Sequence, residues 1–341
     1  MKLSKKLKRS KIVVIGGGTG TFTILSGLKK YPNLDLSVIV SMMDDGGSNR
    51  VIRDEFGLLP TSDLRQCMVA LASSDSDQTL RKLFTYRYEQ GVGISGMTFG
   101  NLFMAALTDI YGGDQKKAIE ETSEILGVKG KIIPVTFEKT NLVATYENGK
   151  QVLGEHAIDE PDSQIGKHRI VNLEVIPKAK VNKDALEAIK NADLIVLGPG
   201  DFYTSILPNL VIDGVTEAIN KTKAKVVLVV NLMTKFGQTA GFKTGDFIDE
   251  TEKYLLGRKL DYCILNKSSC YSKKMLSKYK KENAEPVKDD LKNYKGKTKI
   301  VRKSVISGKT YTKSKGDRLE RSLIRHDSDK LAKAVVELLK P

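Results

Sequence analysis

Residues 12–20 read IVVIGGGTG, a short β-branched run followed at once by a glycine-rich loop and a helical segment. A strand, a tight glycine loop and a helix N-terminus turn several backbone N–H groups toward one point, where the helix dipole favours an anion. The loop is not a Walker motif, because no Lys-Ser or Lys-Thr pair follows at the required spacing, and it only approximates GxGxxG. The stretch predicts a phosphate-binding loop, with a glycine turn needed only for packing as the alternative.

Short apolar runs alternate with helical segments along the chain. The predicted strands are Lys11–Ile15, Leu36–Met42, Leu173–Ile176, Asp193–Leu197, Lys225–Asn231 and Asp261–Asn266. The predicted helices are Asp63–Ser73, Asp77–Tyr88, Asn101–Ile110, Asp114–Leu126, Lys183–Lys190, Val211–Lys221 and Gly245–Leu256. Continuously apolar strands are typical of a parallel sheet covered on both faces. We therefore expect an α/β fold, a Rossmann-like, doubly wound and mainly parallel sheet. Asp77 and Asp114 are candidate N-caps, and Gly127 a candidate C-cap glycine.

The domain organisation follows from composition. We expect a basic tail over residues 1–10 and a single domain over residues 11–341. Short polar and apolar pieces over 129–176, with Glu147-Asn148-Gly149 as a turn, predict a small antiparallel insertion with a hairpin. Residues 268–322 are rich in Lys, Ser and Tyr and predict a basic excursion with a helix at Lys273–Lys281. A last helix is expected over Asp329–Leu339.

The positive charge of the chain is concentrated in its C-terminal quarter. The formal net charge is +15, and residues 257–341 hold 24 Lys and Arg against 10 Asp and Glu. The C-terminal region lacks an aromatic-rich RNP pattern and a recognisable helix-turn-helix, so a nucleic-acid partner is not expected. The first interpretation is a solvated lysine-rich surface. A surface for an anionic partner or membrane is the alternative, and its binding would be sensitive to salt.

Other composition signals indicate the cellular compartment. No run of 18 apolar residues is present, so neither a membrane span nor a signal peptide is expected. Cys67, Cys263 and Cys270 lack CxxC spacing, which argues against a disulfide framework and a zinc site. A cytoplasmic protein is expected, and the sequence leaves a homodimer open.

A second polar loop follows the second predicted strand, where residues 43–50 read MDDGGSNR. In a dinucleotide-binding fold this position contacts ribose. Asp44 and Asp45 beside two glycines exceed what ribose recognition needs, which favours a divalent metal or a general base near a substrate hydroxyl. The alternative is that both carboxylates only cap the turn and helix that follow.

Later strands end in similar loops. Residues 197–205 read LGPGDFYTS, residues 231–235 read NLMTK, and Gly100-Asn101 opens another helix. Because the carboxyl ends of parallel strands face one crevice, we expect these loops to form a single ligand site.

The three histidines do not form a catalytic pattern. His156, His168 and His326 lie in separate segments without HExxH spacing, and no GxSxG is present. His326 lies in RHD at 325–327, where Arg325 could reach a phosphate and Asp327 could cap the last helix. Ser328, next in sequence, is a candidate phosphorylation site because a phosphate suits a helix N-terminus.

Taken together, the motifs resemble those of a known family. They are GGGTG at 16–20, MDDGG at 43–47, GN at 100–101, LGPGDFYTSILPNL at 197–210, NLMT at 231–234 and RHD at 325–327. Their order resembles the YvcK-like gluconeogenesis factors, relatives of the CofD 2-phospho-L-lactate transferases, from Lys11 to about Leu339. The resemblance implies a Rossmann-like fold and, on the YvcK branch, binding of UDP-sugars such as UDP-N-acetylglucosamine. It also implies protein partners of cell-wall or carbon metabolism and a role in cell shape during gluconeogenic growth.

The resemblance also implies site residues. The implied ligand contacts are Gly17, Gly18, Thr19, Asp44, Asp45, Asn101, Gly198, Gly200, Tyr203, Asn231, Thr234, Tyr279 and Arg325. The diphosphate would lie near residues 17–19, a Tyr279 ring can stack on uracil, and Arg325 can pair with a diphosphate. The chain departs from the family pattern at 57–63, which reads GLLPTSD instead of a PPGD-like stretch, and at Ser48-Asn49.

Three functions follow as hypotheses. The first is a regulatory protein that binds a UDP-sugar without turnover and needs no cofactor. The second is a CofD-like 2-phospho-L-lactate transferase acting on a deazaflavin, with Asp45 assisting the acceptor hydroxyl and Mg²⁺ neutralising the diphosphate. The third is an NAD-dependent enzyme, which is disfavoured because no constellation of a catalytic base and an arginine is visible outside the glycine loops.

Overall fold

Two sheets organise the described residues, 9–73, 78–267, 271–309 and 323–339 of the computed structural model. The strands are β1 Ser10–Ile15, β2 Leu34–Val40, β3 Lys131–Pro134, β4 Asn141–Tyr146, β5 Gln151–Leu153, β6 Ile170–Ile176, β7 Leu194–Leu197, β8 Lys225–Val229, β9 Tyr262–Asn266 and β10 Lys299–Lys303. The helices are α1 Gly18–Leu28, α2 Gly47–Phe56, α3 Ser62–Leu71, α4 Gln78–Thr85, α5 Phe99–Ile110, α6 Gln115–Ile125, α7 Glu155–Asp159, α8 Lys183–Lys190, α9 Leu207–Leu210, α10 Val215–Lys221, α11 Thr244–Tyr254, α12 Lys273–Lys281 and α13 Ser328–Val336.

The large sheet is wholly parallel and has the order β3-β2-β1-β7-β8-β9-β10. The strand order reverses between β1 and β7, which are direct neighbours. In an open α/β sheet this switch point opens a crevice beyond the carboxyl ends of the strands. The predicted α/β, Rossmann-like architecture is confirmed, and the glycine loop after β1 lies at the switch point.

The core has one layer on each face of the large sheet. One layer packs α1, α3 and α13 against the sheet through side chains such as Ile24, Met68 and Leu331. The other layer contains α8, α10, α11 and the small sheet, with Phe247 and Tyr146 among its buried side chains. Burial on both faces explains why the central strands are continuously apolar.

The small sheet has the order β5-β4-β6 and is antiparallel. Its β4–β5 hairpin turns at residues 147–150, so the predicted hairpin is confirmed. Two expectations were wrong. Leu173–Ile176, expected in the parallel sheet, belongs to β6 and pairs with β4. The insertion also does not begin at 129, because β3 pairs with β2 at the edge of the large sheet.

The C-terminal region is more regular than its composition indicates. The helix predicted at Lys273–Lys281 is confirmed as α12. The basic excursion predicted for 268–322 nevertheless contains β10, which pairs with β9 and extends the large sheet. Residues 268–270 and 310–322 lie outside the described residues. At the other end, Ser10 was expected in the tail but is the first residue of β1.

Both ends of α6 are capped as the sequence predicts. The Asp114 carboxylate accepts a 3.0 Å hydrogen bond from the Lys117 N–H, as expected of an N-cap. Gly127 follows α6 with a φ of 56°, as expected of a C-cap glycine. Asp77 and Cys270 lie outside the described residues, while Cys67 and Cys263 are buried free thiols. Within the described ranges, no helix is both long and apolar enough to cross a membrane.

Candidate functional site

A cavity of about 410 Å³ opens at the switch point of the large sheet. Eight of the residues expected to contact a ligand line it: Gly17, Gly18, Thr19, Gly200, Asn231, Thr234, Tyr279 and Arg325. The loops after β1, β7 and β8 form its floor, and residues from α12 and from the segment before α13 form the opposite wall. A cavity of this size and position is typical of a small-molecule site.

The glycine loop forms the first turn of α1. Gly17 is the N-cap of α1 and, having no side chain, cannot cap the first N–H groups of the helix. Gly18 has a φ of 66°, in the left-handed region that glycine adopts without strain. The helix dipole and the N–H groups of the first turn that have no partner within the helix together favour a bound anion.

Close packing also requires these glycines. A Cβ at position 20 would lie 2.4 Å from the Pro199 carbonyl oxygen, and one at 17 would lie 1.9 Å from an Asp63 carboxylate oxygen. The loop is therefore held between the β7 loop on one side and the start of α3 on the other. The packing explanation of these glycines is confirmed, and anion binding by the loop stays a prediction.

The Asp63 carboxylate lies directly against the glycine loop of residues 16–20. It accepts a hydrogen bond from the Gly18 N–H, so a carboxylate of the chain itself occupies one of the donors expected to hold phosphate. Loss of hydration, reinforced by the neighbouring Asp44, raises the pKa of Asp63 to about 7. Near neutral pH this carboxyl group is therefore partly protonated.

Side-chain hydrogen bonds tie the cavity loops to one another. The Asn231 amide donates to the Gly200 carbonyl oxygen at 2.9 Å, which joins the β8 and β7 loops. The Thr234 hydroxyl accepts from the Glu285 N–H at 2.9 Å, and the Thr234 N–H donates to the Glu285 carbonyl oxygen at 2.7 Å. The basic C-terminal region is thereby fixed to the edge of the cavity.

The far wall is built around Tyr279 of α12. This side chain is buried in a small apolar cluster with Leu232, Met233 and Ile324. Its hydroxyl accepts a 3.0 Å hydrogen bond from the Ile324 N–H, immediately before Arg325. Tyr279 therefore fixes the position of the segment that carries Arg325.

His326, next to Arg325, is buried in the same wall. Burial lowers the pKa of its imidazole to about 4, although a hydrogen bond to the Val230 backbone partly opposes this. Its Nε2 has no hydrogen-bond partner among the described residues. A neutral ring with one unsatisfied nitrogen thus lies beside the position expected for a ligand.

An ion-pair network crosses the edge of the cavity. Lys235 pairs with Asp159 of α7 and, at 2.9 Å, with Asp201 of the β7 loop. Asp159 also accepts hydrogen bonds from Thr204 at 3.1 Å and Gln238 at 3.0 Å. The small antiparallel sheet, which leads into α7, is therefore anchored to the loops of the large sheet at the site.

The polar loop after β2 lies beside the cavity and does not line it. Asp44 accepts from the Gly46 N–H at 2.9 Å and from the Asn49 side chain, and burial raises its pKa to about 6. Asp45 accepts a 2.7 Å bond from the His156 N–H at the start of α7. Asp44 therefore holds the turn that follows it, as in the capping alternative, whereas Asp45 binds the start of α7 and does not cap the following helix α2.

Three other expected contacts lie outside the cavity lining. The Asn101 amide is buried, accepts from Arg65 at 3.1 Å and donates to Ser62 at 3.0 Å, so it belongs to a polar network under α5. Tyr203 is fully buried among aromatic rings in the core layer that contains α11 and the small sheet. Its hydroxyl donates a hydrogen bond to the Ile170 carbonyl oxygen. Gly198 lies behind the loop, 3.8 Å from where a Cβ at 16 would lie.

Sequence reasoning missed several residues at the site. Asp63 was placed only as the start of a helix, and Asp159 lay in a segment taken as an insertion. Lys235 stood at the end of the NLMTK loop, where its lysine in an otherwise apolar and hydroxyl-bearing run was the available signal. In the described residues, no group of three or more His, Cys, Asp and Glu is arranged to hold a metal ion.

Ser328 is the first residue of α13, and Asp327 caps that helix by accepting from the Asp329 and Lys330 N–H groups. Phosphorylation of Ser328 stays a prediction. Intact-mass analysis of protein purified from its native cells would contradict it by finding no phosphate.

Comparisons with known proteins identify the family. The family model described as 2-phospho-L-lactate transferase CofD matches residues 12–306. An Aquifex aeolicus (strain VF5) protein, provisionally called a gluconeogenesis factor, is 40% identical over 98% of each chain. The gluconeogenesis factor of Bacillus subtilis (strain 168) is 34% identical over 98% of this chain and 99% of the relative. A crystal structure of a Bacillus halodurans protein superposes with a TM-score of 0.85 at 34% identity, covering 96% of this chain and 100% of the other. The chain belongs to the CofD family and, within it, to the YvcK-like gluconeogenesis factors.

Proposed function

We propose that this protein is a regulatory protein that binds a UDP-sugar, of which UDP-N-acetylglucosamine is the representative, without turning it over. The observation that carries the proposal is the cavity at the switch point. The cavity lies between the glycine loop at the N-terminus of α1 and a wall that contains the Tyr279 ring and the Arg325 guanidinium.

Each part of such a ligand has a chemically matched partner in the cavity. The diphosphate suits the N–H groups of residues 17–19 and the helix dipole, because both favour negative charge. Arg325 adds a planar cation that can bind a phosphate through two hydrogen bonds. The Tyr279 ring offers a face for the uracil base.

The neutral His326 imidazole in the same wall adds a preference for hydrogen-bond donors on the ligand. If Nδ1 of His326 donates to the Val230 backbone, its unsatisfied Nε2 is left as an acceptor. A ligand hydroxyl or the imide N–H of uracil would satisfy this nitrogen, whereas a phosphate oxygen would not. This geometry favours uracil and sugar hydroxyls on the side of the cavity away from the glycine loop.

The proposed biological role rests on the similarity to gluconeogenesis factors. We propose that the occupied protein regulates cell-wall synthesis and cell shape during gluconeogenic growth, through protein partners and in the cytoplasm. A deletion strain grown on a gluconeogenic carbon source would lose its normal shape. Wild type would restore the shape, and Arg325→Ala would not; equal rescue by both would contradict a role for the cavity.

The alternative is a CofD-like transferase. Asp45, the residue proposed to assist the acceptor hydroxyl, accepts from His156 and lies outside the cavity lining. Among the described residues, no group of three or more His, Cys, Asp and Glu is placed to hold the Mg²⁺ that the transferase would use. This observation favours the binding protein over the transferase.

A ligand panel tests the proposal. Isothermal titration calorimetry with UDP-N-acetylglucosamine, UDP-glucose, GDP and NAD, each with and without magnesium, is expected to show selective binding of UDP-sugars. Mass spectrometry after overnight incubation is expected to recover the UDP-sugar unchanged. Binding of GDP or NAD in preference to UDP-sugars, or consumption of the sugar nucleotide, would overturn the proposal.

A further inference from the structure

The outer face of α12 carries a cluster of lysines. The helix reads KKMLSKYKK and contains no acidic residue. Lys273, Lys274, Lys280 and Lys281 are exposed, and within the described parts of the chain their ammonium groups have no ion-pair partner. Because 273 and 280, like 274 and 281, are seven residues apart, the two pairs share one face roughly 10 Å long. We call these four residues the lysine face.

The inner face of the same helix belongs to the ligand cavity. Tyr279 is buried and lines the cavity, while Met275 and Leu276 pack into the same apolar cluster. One helix of nine residues therefore presents its aromatic side chain to the ligand position and its lysines to solvent. Any restriction of Tyr279 by a ligand also restricts the backbone that carries the lysine face.

The position of the cluster has an electrostatic cost. Lys273 and Lys274 occupy the first turn of α12, where the helix dipole disfavours cations. The Ser272 N-cap makes no side-chain hydrogen bond that would compensate. Four uncompensated cations on one short face also repel one another, so their arrangement is not explained by the stability of the helix.

From this arrangement we propose that the lysine face of α12 docks an acidic segment of a partner protein, and that ligand in the cavity strengthens this docking. The inference rests on the proposed function for its ligand. Carboxylates spaced about three residues apart in an extended segment, at roughly 3.3 Å per residue, match the separation of the lysine pairs.

The chemistry of the face favours a protein over nucleic acid or membrane. All four cations are lysines, whereas bidentate phosphate recognition typically uses arginine. The aromatic residue of the helix, Tyr279, points inward and offers no surface for stacking bases. Its apolar residues Met275 and Leu276 are partly buried against the protein's own apolar cluster, which disfavours their insertion into a lipid interface.

Neutralisation of the face provides the test. The full chain is compared as wild type, as a variant with Lys273, Lys274, Lys280 and Lys281 all changed to Gln, and as a control variant. The control changes four other exposed lysines to Gln, Lys150, Lys178, Lys190 and Lys221, which removes the same net charge elsewhere. The probe is a fluorescent, glutamate-rich peptide titrated by anisotropy at 0.05 and 0.15 M salt, with and without UDP-N-acetylglucosamine.

We expect the α12 variant to bind the peptide at least about 10-fold more weakly than wild type, and the control to stay within about twofold. UDP-N-acetylglucosamine is expected to tighten peptide binding to wild type and to the control only. Equal losses in both variants would show attraction by net charge alone and would overturn the proposal. Tighter binding of duplex RNA or of phosphatidylserine vesicles than of the peptide would also overturn it.

Calorimetry on the same three proteins separates this inference from the proposed function. If none binds a UDP-sugar but peptide binding still depends on α12, the proposed ligand is wrong and the docking face stands. If all three bind the UDP-sugar and none discriminates the peptide, the docking face is wrong and the ligand stands. Circular dichroism at 222 nm and the thermal midpoint verify that each variant is folded.

Discussion

The carboxylate of Asp63 accepts a hydrogen bond from the N–H of Gly18, inside the loop expected to hold the phosphates of the ligand. The structure thus places a negative charge of the chain where a negative charge of the ligand is proposed to bind. Because the pKa of Asp63 is raised to about 7, this carboxylate gains a proton as the pH falls below neutrality, and its repulsion of a bound phosphate weakens.

The first prediction concerns Asp63→Asn. The native state holds the proton of Asp63 up to about pH 7, whereas the unfolded state releases it near 3.8. Wild-type stability from this group is therefore full below pH 3.8 and falls as the pH rises toward 7. Asn keeps an acceptor for Gly18 without the charge, so it should raise the Tm by roughly 2–4 °C at pH 8.

The same variant should bind a UDP-sugar more tightly at pH 8 and equally at pH 5.5. Differential scanning fluorimetry and calorimetry at both pH values measure the two effects. A variant that loses ligand binding at both pH values would show that the Asp63 carboxylate is needed by the ligand and does not compete with it.

The second prediction concerns Gly20→Ala. Inside a helix this change alone would stabilise by about 1 kcal/mol. Here the new Cβ would lie 2.4 Å from the Pro199 carbonyl oxygen, so it must push the β7 loop away from α1. We expect a net loss of about 1–3 kcal/mol in the free energy of unfolding and weaker ligand binding.

Urea unfolding followed by fluorescence or circular dichroism measures this loss. Gly308→Ala is the matched control, because a Cβ there meets nothing within 4 Å. Equal effects of the two changes would mean that the close contact between the loops is not required.

The third prediction separates the two contributions of Tyr279. Tyr279→Phe keeps the ring but leaves the buried Ile324 N–H without its acceptor. We expect a loss of about 1–3 kcal/mol in stability and a change of less than about threefold in UDP-sugar affinity. Chemical denaturation and calorimetry on one preparation test both parts. A large loss of affinity in the Phe variant would assign ligand recognition to the hydroxyl instead of the ring.

The fourth prediction concerns acid sensitivity. Burial holds the pKa of His326 near 4 in the native state, against 6.5 when exposed. This lowered pKa contributes stability that is full above pH 6.5 and is lost as the pH falls toward 4, up to about 3 kcal/mol. His326→Asn should therefore lose less stability than wild type between pH 7 and 4.5. Parallel losses in urea titrations of the two proteins would contradict the assignment.

The sequence predicted the parts of the fold whose signals are local. Five of the six apolar runs lie in the parallel sheet, and with the glycine loop they were enough to predict the α/β class. The helix predicted over KKMLSKYKK has the same bounds as α12. The strands that it missed have weak local signals. β3 has four residues and ends in Pro134, and β10 reads KIVRK, in which three of five residues are charged. Their place at the sheet edges is decided by pairing with distant strands.

The site was predictable only as a set of loops. Sequence order indicates which loops end at the switch point, and eight of the expected residues do line the cavity. It does not indicate which side chains turn away. Tyr203 follows the β7 loop closely, yet its ring packs into the core because neighbouring aromatic rings surround it. Likewise, the contact of Asp159 with Lys235 depends on how the small sheet packs against the large one.

The most direct test of the central claim is calorimetry with UDP-N-acetylglucosamine on wild type, Tyr279→Ala, Arg325→Ala and the control Arg50→Ala. Arg50 is an exposed arginine of α2 outside the cavity. Loss of a charge-assisted hydrogen bond costs about 1.5–3 kcal/mol, so Arg325→Ala should bind at least 10-fold more weakly. Tyr279→Ala should also bind more weakly, and Arg50→Ala should match wild type. Wild-type affinity in both cavity variants would contradict a UDP-sugar site at this cavity.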